Sequence, residues 1–194
     1  NESNIPYVVI ILGEATNRNY MGIYGYPKNT TPLLQKRLDN HDLYVFNDVI
    51  SSHSTTIESL ENMFTFYRVG ATGCWYSYMD LFHILNRAGY HTVWMSNQEV
   101  TGIFGFVAQV YADMCIERQF TSKRTSHANN NGTDTTEMDL ELLPILDTFM
   151  MNTYDKNFYL LHLMGCHIDY RNRYTQEYKI FTPQDISGQS DISR

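Results

Sequence analysis

The chain is expected to adopt an α/β fold, a mostly parallel sheet flanked by helices, and three observations lead there. Residues 7–12, Tyr-Val-Val-Ile-Ile-Leu, form a short continuous apolar run with β-branched residues, the pattern of a strand buried on both faces of a parallel sheet. Further strand-like runs alternate along the chain with capped segments of helical period, which is the order of a sheet wound with helices. Of the 194 residues, 43% are hydrophobic and 18% charged, a composition that builds a packed core and excludes disorder throughout. At about 150 residues per domain, the length fits a single domain.

The elements follow in order. Gly13 ends the first strand. Thr31 and Pro32 open a short helix over residues 33–38, Thr31 as cap and Pro32 in the first helical position. Residues 43–50 mix aromatic and β-branched side chains and read as a second strand. The hydroxyl cluster of residues 51–56 then starts a helix. Thr55 with Glu58 matches a capping box, and Ile57, Leu60, Met63 and Phe64 form the apolar face. Ser77 and Asp80 repeat the capping pattern before a helix that Gly89 stops. Residues 90–95 read as a strand, 101–111 as a helix and 121–135 as an exposed polar loop. Residues 136–152 have helical period, with Pro144 expected to kink or break them. Residues 157–164 form the last buried strand. No internal repeat is present.

With 14 Lys and Arg against 21 Asp and Glu, the net charge is −7, which argues against a protein that binds nucleic-acid phosphates. The longest strongly apolar run, residues 7–12, is far short of the roughly 20 residues of a membrane helix. A start at Asn1 is expected of a processed or excised product. Cys74, Cys115 and Cys166 include no CxxC pair, so neither a structural zinc site nor a disulfide framework is indicated, and one disulfide plus a free thiol is allowed.

In a parallel sheet, sites lie at the carboxyl ends of the strands. Glu14 follows the first strand, Thr56 stands at a helix start after the second, and His167 follows the last in Gly165-Cys166-His167. A carboxylate, a hydroxyl and an imidazole converging there could bind a cation and aim an activated nucleophile at phosphorus. Each residue also has a plain structural reading: a loop carboxylate, a helix-cap hydroxyl, a hydrogen-bonded histidine. His53, in a hydroxyl-rich loop, and His162, inside a strand, read as hydrogen-bonded histidines without chemistry.

Taken together, three segments carry a family resemblance. VVIILGEATNRNYMGIYGYPKNTTPLL resembles the start of the catalytic domain of bacterial phosphoethanolamine transferases, in the alkaline phosphatase and sulfatase superfamily. SSHSTTIESLENMFTF is similar to that family's nucleophile segment, and NFYLLHLMGCHIDYRNRYTQEYKIF to its strand running into His-Leu-x-Gly-Ser-His. The resemblance implies that Glu14 binds zinc, that Thr56 is both a zinc ligand and the phosphoryl-accepting nucleophile, and that His167 contacts the transferred group or a further metal. It also implies a ping-pong reaction. Phosphatidylethanolamine would be the donor, and an envelope glycolipid, lipopolysaccharide core or lipid A, the acceptor, the nucleophile segment looking closest to the core-modifying branch. The implied location is the periplasmic face of the inner membrane, reached through membrane segments of a parent protein.

This sequence departs from the family pattern in four ways. The downstream Ser-Asp-His-Gly-Glu segment that supplies two zinc ligands is missing, and no Asp-His pair occurs in the chain, so a partial, truncated catalytic domain with an incomplete zinc shell is expected. None of the three cysteines lies between residues 51 and 66, where many members have a disulfide. Cys166 replaces the usual Ser, and SNQEVTGIFGFV lacks the lysine several members carry there. The sulfatase Cys/Ser-x-Pro-x-Arg motif is also missing, since residues 53–60 contain neither that Pro nor that Arg. The alternatives are a phosphoglycerol transferase, a phosphodiesterase, a sulfatase, or a non-catalytic glycolipid-binding protein.

Overall fold

The structure, a computed structural model, describes residues 5–98, 106–121, 138–167, 170–182 and 185. Its frame is a four-stranded sheet of β1 (Tyr7–Leu12), β2 (His91–Ser96), β3 (Glu117–Phe120) and β4 (Asn157–His162), in the order β1-β4-β2-β3. Every pairing is parallel, with Leu12 and Ser96 both opposite His162, so the carboxyl ends of β1, β4 and β2 lie side by side. β4 is central and buried along its whole length, as its continuous apolar run requires.

One face of the sheet is covered by α2 (Thr56–Met63), α3 (Leu81–Arg87) and α4 (Phe106–Met114). Leu60, Phe64, Phe82 and Tyr111 from that side pack on Trp94, Phe158 and Leu160. The other face is covered by α5 (Leu142–Met151), where Leu142, Ile145, Leu146 and Phe149 meet Val93, Met95, Tyr159 and Leu161. α5 stops short of β1. Tyr7, Val9 and Ile11 are therefore exposed, Ile11 at 66%, and β1 is half-buried rather than buried on both faces as its composition suggested.

The helix starts follow local chemistry. In α1 (Pro32–Asp39), Thr31 takes the cap position with Pro32 first, but its hydroxyl accepts from the Ile23 amide at 3.0 Å instead of capping. Asp80, not Ser77, caps α3, accepting from the His83 amide at 2.9 Å. Pro144 is the third residue of α5, where its missing N–H forfeits no helical bond, so the expected kink becomes a helix start preceded by the 3-10 turn Asp139–Glu141.

Residues 43–50 are not a strand. Arg18 Nη1 donates to the carbonyls of Asn47 at 2.6 Å and Val49 at 3.2 Å, taking the place of a strand neighbour, while Tyr44, Phe46 and Ile50 stand exposed. β3 had no apolar signal, because Glu-Arg-Gln-Phe is a short, charged edge strand. The expected polar loop after Thr121 and the first part of the 101–111 helix lie outside the described residues. All three cysteines are free, and burial pushes the Cys115 thiol up to about 12. No helix among the described residues is long and apolar enough to cross a membrane.

Candidate active site

Glu14 leaves the carboxyl end of β1 after Gly13, and Thr56 opens α2. The two meet across 42 residues of sequence: Thr56 Oγ1 donates toward both Glu14 carboxylate oxygens, each at 3.0 Å. The Ala15 amide holds Glu14 Oε1 at 3.1 Å from within a left-handed backbone, φ +51°. On the helix side, the Ser51 and Ser59 hydroxyls lie 2.9 Å apart, and both reach the His53 carbonyl, at 2.7 and 3.1 Å. This cluster ties residues 51–53 to the first turns of α2. Thr55, the expected capping-box hydroxyl, turns to Glu58 rather than to the helix amides, and that bond holds the Glu58 carboxyl below its ordinary range.

β4 contributes the third wall. Beyond its end, Leu163 N donates to Leu12 O and Cys166 N to Glu14 O, both at 2.9 Å. Gly165 turns between them at φ +57°, so close that a Cβ there would lie 2.5 Å from Glu14 O. Only glycine allows this approach. The segment carrying His167 is thus pinned to the main chain of Glu14, with the His167 carbonyl accepting from Arg173 Nε at 3.1 Å.

These walls enclose a cleft of about 320 Å3 lined by Glu14, Thr16, Ser51, His53, Thr55, Thr56, Ser59 and His162, among others. Sequence reasoning set His162 aside as a strand-interior residue. It is 2% exposed, and its Nδ1 lies 3.4 Å from Ser96 Oγ, while Nε2 has no hydrogen-bond partner among the described residues. Burial lowers its pKa to about 4, partly opposed by Asp139, so the ring is neutral at physiological pH. His167, the expected contact for the transferred group, is exposed and is not among the cleft-lining residues.

The arrangement sets a hydroxyl against a carboxylate that could accept its proton. Thr56 sits at a helix start, where the dipole and amides favour an anion, and its hydroxyl already points at a carboxylate. For a four-coordinate zinc, the Glu14 and Thr56 oxygens supply two donors. Among the described residues no group of three or more His, Cys, Asp or Glu side chains is placed to hold a metal ion.

The sulfatase family profile matches residues 6–192. Phosphoethanolamine transferase CptA of Salmonella typhimurium is 31% identical over 172 residues, covering 87% of this chain and 28% of that protein. The periplasmic domain of EptC from Escherichia coli, solved as a zinc complex, superposes with a TM-score of 0.80 at 26% identity over 98% of this chain and 51% of that one. The soluble domain of lipooligosaccharide phosphoethanolamine transferase A from Neisseria meningitidis gives 0.72 at 29% identity, over 91% and 50%. The chain spans about half the length of these solved domains and under a third of the curated relative.

Proposed function

Since the chain belongs to the sulfatase family, we propose that it forms part of a phosphoethanolamine transferase acting on an envelope glycolipid at the periplasmic face of the inner membrane, with phosphatidylethanolamine as donor. The reading rests on one observation above the rest, the Thr56 hydroxyl 3.0 Å from both Glu14 oxygens at the helix start. In the first step Thr56 Oγ bonds to phosphorus and the bond from phosphorus to the diacylglycerol oxygen breaks, the threonine proton ending on that oxygen. In the second, an acceptor hydroxyl attacks phosphorus, the bond to Thr56 breaks, and the acceptor's proton returns to the threonine.

Glu14 orients the hydroxyl before attack, and the end of α2 stabilises the phosphate charge. The neutral, buried His162 lines the cleft, and His167, on the segment pinned to the Glu14 main chain, would contact the phosphoethanolamine as it transfers. Zinc bound through Glu14 and Thr56, with its other ligands from outside the described residues, would lower the pKa of the hydroxyl.

The test uses full-length protein and phosphatidylethanolamine labelled in its headgroup. Label is expected on the Thr56 peptide by mass spectrometry, and Thr56→Ala is expected to lower turnover about a thousandfold or more with the fold intact. Undiminished transfer by Thr56→Ala would overturn the assignment. Transfer from phosphatidylglycerol in preference to phosphatidylethanolamine would make it a phosphoglycerol transferase.

A further inference from the structure

Asp139 stands in the 3-10 turn ahead of α5 and is not among the residues lining the cleft. Its carboxylate nevertheless takes three hydrogen bonds from the carboxyl ends of the two central strands. Oδ1 accepts from Asn97 Nδ2 at 2.8 Å and from the Met164 amide at 2.7 Å, and Oδ2 accepts from the Gly165 amide at 2.9 Å. Asn97 is fully buried; its amide donates to the His162 carbonyl at 2.9 Å, and its Oδ1 accepts from Thr121 Oγ1 at 2.5 Å. One carboxylate thereby joins the ends of β2, β3 and β4.

A carboxylate at a helix start ordinarily caps the amides of its own first turn. The two amides held by Asp139 lie 25 and 26 residues away, in the segment that presses on Glu14. Leaving β4, that segment has no strand neighbour to accept from Met164 and Gly165, and a partly buried amide without an acceptor is costly. A charged acceptor gives shorter and stronger bonds than a carbonyl would.

We propose that Asp139 is a positioning residue of the active site, fixing residues 163–167 so that Gly165 backs the main chain of Glu14 and Cys166 stays bonded to it. The activity arm of its test rests on the transferase reading; the exchange arm does not.

The experiment compares full-length wild type, Asp139→Asn and, as a control, Asp147→Asn, an exposed carboxylate of α5. Amide hydrogen exchange is followed by mass spectrometry on the peptide spanning residues 163–167 and on β4, alongside headgroup release from phosphatidylethanolamine in mixed micelles. Asp139→Asn is expected to speed exchange at residues 164–166 about tenfold beyond any change in β4. It is expected to lower kcat about tenfold or more with KM within about threefold, since small misplacements cost rate more than binding. Asp147→Asn should change neither.

Exchange rising equally in β4 and residues 163–167, with kcat per folded molecule unchanged, would make Asp139 a purely structural residue and overturn the proposal. If wild type releases no headgroup, the transferase reading fails and the exchange result alone decides the positioning role. If Asp139→Asn does not fold, Asp139→Glu, which keeps the charge and displaces it by one methylene, is read in the same way.

Discussion

The contact between Gly165 and Glu14 can be measured with one added methyl group. Gly165→Ala imposes two separable costs. At φ +57° an alanine loses about 1 kcal/mol relative to glycine. Its Cβ would also lie 2.5 Å from Glu14 O and 2.7 Å from Glu14 N, backbone atoms that cannot swing aside as a side-chain tip could, and such overpacking costs about 1–3 kcal/mol. The total is about 2–4 kcal/mol, or a fall in Tm of about 4–16 °C for a chain of this size. Gly89→Ala supplies the reference. Gly89 is also left-handed, φ +82°, but nothing lies within 4 Å of its Cβ position, so it reports the backbone cost alone. Urea denaturation followed by the fluorescence of Trp94, which is fully buried, gives both values. Gly165→Ala is expected to be the more destabilising by about 1–3 kcal/mol and to impair transfer, because relief of the clash parts Cys166 N from Glu14 O. Equal destabilisation by the two variants would refute the close approach and, with it, the account of how β4 shapes the site.

Two further outcomes follow from the same geometry. His162 has a pKa of about 4 in the fold against an ordinary 6.5, so the unfolded chain binds the proton first; its contribution to stability is complete above pH 6.5 and is lost as pH falls from 6.5 to 4, about 3 kcal/mol in all. Urea midpoints measured across that range should show this slope in wild type and a flatter one in His162→Gln. Arg18→Ala removes the donor that holds the Asn47 and Val49 carbonyls, so limited proteolysis should cut residues 43–50 faster while the core, remote from that loop, unfolds at nearly the same urea concentration.

What the sequence disclosed depended on whether the deciding partner was local. β1 and β4 were legible because a continuous apolar run needs only its own side chains to be recognised, and Glu14 and Thr56 because a strand end and a helix start are local features. Residues 43–50 failed for the complementary reason. Their aromatic and β-branched pattern is the same whether a neighbouring strand or the Arg18 guanidinium takes the carbonyls, and that choice is made 29 and 31 residues away. β1 itself was read correctly as a strand and wrongly as doubly buried, since the helix that would cover Tyr7, Val9 and Ile11 is a property of packing.

The same distinction separates the two layers of the site. Thr56 and Glu14 are candidates for chemistry by residue type and position, which a reader can suspect from sequence alone. His162 and Asp139 look ordinary in sequence: a histidine inside a strand and an acid before a helix. Their interest lies in what surrounds them, a buried Nε2 without a hydrogen-bond partner among the described residues, on a histidine that lines the cleft, and a carboxylate spent on amides 25 and 26 residues away. A hydroxyl and a carboxylate 3.0 Å apart can act together only if neither can drift, and Glu14 lies just past the end of β1, an edge strand with one face left exposed by the described residues. The rigidity must therefore come from the central strand. β4 provides it through Gly165 and Cys166, and Asp139 anchors that segment in turn to β2 and β3, so the precision of a carboxylate just past the edge strand is borrowed from the core of the sheet.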